Sequence, residues 1–263
     1  MKIILMNKDI EVLIAEYNHA SNSFDEIYEI KNLDYAPVIV EKSYDKNNIK
    51  QFKLVLSEWF KNRGIPVIRD DLELLLAKLD IKSPTQLLDK SLGLSLSDQY
   101  WIKAYGSNTK YDDINFFDNI FAANDFLEAC FFDIEKDYFS DIYNTPNSTT
   151  NGMLKKAWII ENDKRYLIKG GYKNDVIQPF NELLASEICK RLGFNHVDYS
   201  LDIVNGKVVS KCECFIDKNT ELVTAHEILS GILAKNSSYD YNNYIAILES
   251  KGIENVRSEE HTS

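Results

Sequence analysis

Residues 205 and 206 are Asn-Gly, and the runs on either side, Val197–Val204 and Lys207–Cys214, alternate apolar and polar side chains. Both residues of this dipeptide tolerate φ > 0, as a two-residue hairpin turn of the primed types requires, so the chain must contain an antiparallel hairpin here. A second hairpin precedes it. Lys155–Ile160 and Arg165–Lys169 flank the turn formers Glu161-Asn162-Asp163-Lys164, and Gly170-Gly171 stops the second strand. Between the hairpins, helical spacing runs from about Pro179 to Leu192. Phe180, Leu183, Leu184, Ile188 and Leu192 are expected on its buried face, with Gly193 at its C-terminal stop.

The stretch before these hairpins, Asn144–Gly152 (Asn-Thr-Pro-Asn-Ser-Thr-Thr-Asn-Gly), consists of turn formers only. It reads as an exposed loop and a domain boundary. Ahead of it the pattern is mixed. Lys2–Leu5 and Glu11–Tyr17 read as a strand pair. A helix is expected after Asp45 as N-cap, with Ile49, Phe52, Val55, Leu56, Trp59 and Phe60 as its apolar stripe and Gly64 near its end. A second helix should start at Asp70, with Leu72, Leu75, Leu76 and Leu79 inward. Ser83-Pro84 announces a third. Tyr100–Lys103 reads as a short strand. Lys110–Tyr143 reads as irregular, with one helix near Asn124–Phe131, its phenylalanines serving packing. Past the second hairpin, Phe215–Glu221 is a connector, and helices are expected near Thr224–Ala234 and Tyr241–Lys251.

Composition excludes several classes. With 263 residues and 44% hydrophobic side chains, the chain can bury a core without staples. A formal net charge of −11 opposes a phosphate backbone, so direct nucleic-acid binding is not expected. Cys130, Cys189, Cys212 and Cys214 form no disulfide framework and no zinc spacing; free thiols in a reducing cytoplasm fit them better. The apolar start Met1–Leu5 is too short for a signal segment, and no apolar run approaches the ~20 residues of a membrane span.

The order loop, strand, strand, helix, strand, strand, connector is the order of a protein-kinase N-lobe. A nucleoside triphosphate needs a lysine held on a strand and a carboxylate to aim it. Lys169 closes the second strand and Glu182 lies 182 − 169 = 13 positions later on the helix, a spacing that lets the helix fold back to pair them. Ser148, Thr149, Thr150, Asn151 and Gly152 offer hydroxyls and backbone N–H groups to phosphates. Glu213, Cys214, Phe215 and Ile216 would present backbone groups to the adenine edge. Lys155 or Lys156, beside the loop, is the substitute anchor if Lys169 is not.

Several segments carry a family resemblance: Ser91–Ile102 (Ser-Leu-Gly-Leu-Ser-Leu-Ser-Asp-Gln-Tyr-Trp-Ile), Gly152–Trp158, Leu167–Gly171, Asn181–Ser186 and Asp217–Val223. From about Leu56 to Val256 the chain resembles the HipA-like serine/threonine protein kinases of the Firmicutes and mobile-element type. The resemblance implies an α+β fold: an N-terminal mixed domain (1–143), a kinase-like N-lobe of antiparallel sheet plus one helix (144–222), and the first helices of an incomplete C-lobe (223–256). It implies ATP and Mg²⁺ as cofactors, Lys169 and Glu182 as the phosphate-anchoring pair, and a protein substrate or an antitoxin-like partner as in toxin–antitoxin pairs. The family's catalytic motif, Asn-x-Asp-x-His-x-x-Asn, is absent from the sequence, as is a later Mg²⁺-binding Asp. The chain is therefore expected to be a fragment, inactive by itself, or else a nucleotide- or partner-binding regulatory module without catalysis. A purely structural protein is a third reading. Arg257–Ser263 is what AGA-TCG-GAA-GAG-CAC-ACG-TCT encodes, the start of a common sequencing adapter, so His261 and its neighbours are expected to carry no function. The apolar faces of the last two helices (Ile228, Leu229, Ile232, Leu233; Tyr244, Ile245, Leu248) are expected to lie partly exposed.

Overall fold

The computed structural model describes residues 1–69, 72–78, 80–131, 143–172, 175–230, 241–250 and 252. The chain is α+β, with two four-stranded antiparallel sheets and helices packed on both. Asp70, Leu79, Ile232, Leu233, Ala234, Lys251, Val256 and Arg257–Ser263, all named above, lie outside the described residues.

The first sheet has the order β3-β2-β1-β4, from β1 (Lys2–Asn7), β2 (Ile10–Asn18), β3 (Ser23–Ile30) and β4 (Tyr100–Ala104). Its β1–β2 strand pair and β4 follow the sequence; β3 does not stand out there. With Asp25, Glu26 and Glu29 on its exposed positions, β3 is a polar edge strand that lacks apolar alternation. One face packs on α1 (Val38–Ser43) and α2 (Ile49–Lys61) through Leu5, Leu13, Tyr17, Phe52, Leu56 and Phe60. The α2 stripe is as expected, but its N-cap is Asn48, whose side chain accepts from the Gln51 N–H. Asp45 instead accepts from the Asn47 N–H at 2.8 Å, making the turn before the helix. Next come α3 (Leu72–Lys78) and α4 (Pro84–Lys90), the latter with Ser83 at its N-cap and Pro84 at N1. They are followed by the single turn α5 (Tyr111–Ile114) and α6 (Asn124–Phe131).

The second sheet has the order β5-β6-β8-β7, from β5 (Lys156–Glu161), β6 (Lys164–Lys169), β7 (Tyr199–Val204) and β8 (Lys207–Glu213). Both hairpins close on two residues with positive φ: Asn162 and Asp163 in one, Asn205 and Gly206 in the other. Ala157, Ile168 and Val209 on one face pack against Leu72, Leu87 and Phe126 from the first half. On the other face Trp158, Ile160 and Cys214 approach the first sheet's Met6 and Trp101 through Phe116 and Phe121. The two sheets thus share their cores across residue 144.

Helix α7 (Ile177–Leu192) corrects an expectation. Phe180, Leu184, Ile188 and Leu192 are exposed (Leu192 by 60%), and the side turned to the sheet carries Pro179 and Ser186, with Leu183 half-buried. In the last helices, α8 (Ala225–Ser230) and α9 (Tyr241–Ser250), the expected partial exposure holds for Ile228 and Tyr244 and is corrected at two other residues. Ile245 and Leu248 are buried. Here α8 lies beside α1, where Lys42 Nζ donates to the Ile228 carbonyl at 3.4 Å, and the Leu222 N–H donates to the Ser97 carbonyl at 2.8 Å. Helix α8 thus uses the N-terminal half as its packing surface, and α9 packs on α8.

Candidate functional site

Strand register brings the site together. In the antiparallel pairs, Lys156 lies opposite Lys169, and Lys169 lies opposite Ser210, so the three form a row on one face of the sheet. Helix α7 covers the same end of that face. Its approach needs a sharp reversal after β6, and Gly171 supplies it: a Cβ there would sit 1.5 Å from the Asp175 carbonyl oxygen. The Asp175 carboxylate then accepts from the Ile177 N–H at 3.1 Å, and Gly193, at φ 73°, ends the helix in the left-handed conformation. Ser186 Oγ accepts from the Tyr199 N–H at 3.1 Å, tying the helix to β7.

Held in this way, Lys169 Nζ donates to Glu182 Oε1 at 2.8 Å and to the Tyr199 hydroxyl at 2.5 Å, and lies 4.7 Å above the Tyr199 ring. The two side chains read as a pair in the sequence do meet. They are shielded, Lys169 to 18% exposure and Glu182 to 33%, unlike a freely solvated surface pair. Burial, followed by the nearby Cys212 and Glu182, pushes the Tyr199 hydroxyl well above the ordinary phenol range.

The other predicted residues divide. Asn144–Gly152 is not an exposed loop. Pro146–Thr149 form a buried 3-10 turn, and Thr145, Asn147, Ser148, Thr149 and Thr150 are all buried. Ser148 Oγ donates to the Thr145 carbonyl, Thr149 Oγ1 to the Leu94 carbonyl at 2.8 Å, and Thr150 Oγ1 to the Asn147 carbonyl at 2.9 Å. The Asn147 amide stands in for a strand neighbour, accepting from the Trp158 N–H at 2.6 Å and donating to the Trp158 carbonyl. A polar segment can be buried because it satisfies itself. Only Asn151 and Gly152 reach the surface beside the lysine row.

Glu213, Cys214, Phe215 and Ile216 lie toward the other end of the sheet. Glu213 pairs with Tyr166, three residues and about 10 Å of extended strand from Lys169. The Cys214 N–H donates to the Arg165 carbonyl at 2.8 Å, and Phe215 is exposed. Glu213, Cys214 and Ile216 line an open cleft of about 400 Å³ with Phe117, Arg165 and Lys218.

Sequence reasoning named Lys156 only as a substitute for Lys169 and passed over Arg69, Tyr199 and Ser210. The signal for Lys156 was the hairpin register, which sets it opposite Lys169. Lys156 Nζ donates to the Asn151 carbonyl at 2.6 Å, beneath Gly152, whose φ of 100° is open to glycine alone at low strain. Burial, with repulsion from Arg69 and Lys169, lowers the Lys156 ammonium to about 8, against the opposing pull of Glu182. Arg69 is buried and donates to Thr150 Oγ1 at 2.9 Å and to the Lys156 carbonyl at 2.7 Å. Ser210 Oγ is fully buried, with no hydrogen-bond partner among the described residues. Among the described residues, no group of three or more His, Cys, Asp or Glu side chains is placed to hold a metal ion, and no helix is long and apolar enough to cross a membrane. No family model, no curated protein and no solved structure matches this chain.

Proposed function

We propose that residues 144–222 form the nucleotide-binding lobe of a HipA-like serine/threonine protein kinase, with Lys169 and Glu182 as its phosphate-anchoring pair. The observation that carries this reading is the 2.8 Å contact between Lys169 on a strand and Glu182 on the helix folded back over it. A lysine aimed by a carboxylate and shielded from bulk water is what the α- and β-phosphates of ATP require. The residues at this end of the sheet suit an anion: Lys169, Lys156 and Arg69 are cationic, and Ser210 keeps an unused hydroxyl. The cleft at Glu213–Ile216 is the proposed seat of the base.

Mg²⁺ enters only as the resemblance implies it, to neutralise the phosphates of bound nucleotide. The described residues gather no carboxylate cluster for it. A catalytic Asn-x-Asp-x-His-x-x-Asn motif is missing from the sequence, so the proposal for this chain by itself is binding without phosphoryl transfer. The second reading is a kinase-like regulatory module that holds nucleotide or a partner without phosphoryl transfer, and a catalytic Asp in the full gene would decide against it. A protein substrate, an antitoxin-like partner and a cytoplasmic setting remain parts of the proposal.

Isothermal titration of the purified chain with Mg²⁺-ATP tests it. Lys169→Met should weaken binding about ten- to a hundredfold, the worth of a charge-assisted contact, with the fold retained by circular dichroism. Glu182→Gln should weaken it less, because it loosens the lysine without removing it. ATP turnover should be undetectable in all three proteins. Equal ATP affinity in parent and variants would defeat the assignment.

A further inference from the structure

The geometry points to a two-lysine clamp for a polyphosphate chain: Lys156 and Lys169, opposed across β5 and β6, grip one anionic ligand between them, and Arg69 positions Lys156. This deepens the nucleotide reading and rests on it for the identity of the ligand. It names a binding residue, Lys156, and a positioning residue, Arg69.

Unliganded, the arrangement is unfavourable. Like charges directly opposite one another in an antiparallel pair repel, and Lys156 and Lys169 occupy such a position. Glu182 answers Lys169. Among the described residues, no carboxylate lies within ion-pair distance of Lys156 or of Arg69; their contacts are the Asn151 carbonyl for the first, and Thr150 Oγ1 and the Lys156 carbonyl for the second. Among the described residues, three cations therefore share one carboxylate in a region shielded from solvent, where unanswered positive charge is costly. A second, independent observation lies in the same row: the fully buried Ser210 hydroxyl, opposite Lys169, has no partner among the described residues. An anion with several oxygens would answer the lysines and the hydroxyl together.

Arg69 acts through its neighbours. By bonding both Thr150 and the Lys156 carbonyl, it closes residues 150–156 into a fixed loop. The Lys156 ammonium, tied to the Asn151 carbonyl beneath Gly152, is thereby held beside Lys169. Facing it are Arg69, Lys169 of β6 and Glu182 of α7; the Tyr199 hydroxyl of β7 is bound to Lys169, and Cys130 of α6 contacts the Lys156 carbonyl through its Sγ. With an ammonium titrating at about 8, the charged fraction falls about tenfold between pH 7 and pH 9. The clamp should grip at pH 7 and lose Lys156 at pH 9.

Titrations with inorganic tripolyphosphate and, separately, with ATP, at pH 7 and pH 9, test this on the full chain. Lys156→Gln should weaken both ligands at least tenfold at pH 7 while the unliganded protein melts no lower than the parent, because the repulsion is gone. Lys156→Arg keeps the charge at both pH values, so it should retain binding at pH 7 and abolish the loss between pH 7 and pH 9. ATP binding that is unchanged in Lys156→Gln overturns the clamp and leaves the nucleotide reading intact. Tripolyphosphate binding that depends on Lys156, with no binding of ATP, upholds the clamp and overturns the nucleotide reading. Failure of both ligands to bind the parent overturns both.

Discussion

Arg63 follows α2 and would pass in the sequence for a solvated end-of-helix cation. Its guanidinium donates to both carboxylate oxygens of Asp98 at 2.7 and 2.8 Å, to the Gly93 carbonyl at 2.7 Å and to the Tyr100 carbonyl at 3.2 Å, and it lies 4.9 Å over the Trp59 ring. The side chain is 7% exposed. Removing one partner of such a pair leaves the other charge buried and unanswered, a cost of about 3–5 kcal/mol. Asp98→Ala should therefore lower the unfolding free energy by about that amount in urea titrations, whereas breaking the exposed pair Lys164–Glu213 should leave the urea midpoint almost unmoved. The contrast with Lys169 and Glu182 shows what is legible at this scale. Those two could be paired in advance because a strand end and a helix turn fix their positions and few residues separate them. Arg63 and Asp98 are joined through an irregular segment, Ser91–Gln99, whose path no local periodicity encodes. Lys156 was legible in register but not in environment: its depressed ammonium depends on Arg69, from a distant part of the chain.

Helix α7 shows where periodicity stops informing. Its extent follows from the sequence, and the stripe Ile177, Phe180, Leu184, Ile188, Leu192 has helical spacing, but that stripe is the exposed one. Which face turns inward was decided by contacts from elsewhere: Lys169 reaching Glu182, and the Tyr199 N–H reaching Ser186. Amphipathic spacing names two faces without saying what each one meets. The hairpins were legible because Asn-Gly and Asn-Asp set their own turn geometry locally. Segment 145–150 is polar yet buried, because its side chains bond its own backbone and that of Trp158, and polarity alone does not encode exposure. A measurable consequence concerns α7. Leu184 is 58% exposed, so Leu184→Glu should change the unfolding free energy by no more than about 0.5 kcal/mol. The reading from periodicity alone, with Leu184 in the core, requires a loss of several kcal/mol from burying a carboxylate, and guanidinium titration separates the two.

Over the whole molecule, the turn-former segment at 144–152 suggests two units, yet the packing runs through it. Phe126 of α6, fully buried, belongs to one cluster with Leu72 and Leu87 from the first half and Ala157, Ile168 and Val209 from the second sheet. Trp158 and Cys214 meet the cluster that carries Ile4, Met6 and Trp101 of the first sheet. Helix α8 returns to the N-terminal half beside α1, and Ile245 and Leu248 of α9, which packs on α8, are buried. Shared clusters of this kind, among the described residues, couple the unfolding of one half to that of the other. Heating should then give one transition, with near-ultraviolet signals from Trp59 and Trp101 in the first half and Trp158 in the second lost together. Phe126→Ala should sharpen the test. Truncating a fully buried phenylalanine costs about 3–5 kcal/mol through lost transfer energy and the cavity left behind. Because its neighbours lie on both sides of residue 144, the whole transition should move to lower temperature without splitting. Two independent halves would respond otherwise, with one step shifting and one holding still, and calorimetry of the parent and Phe126→Ala proteins decides between these outcomes.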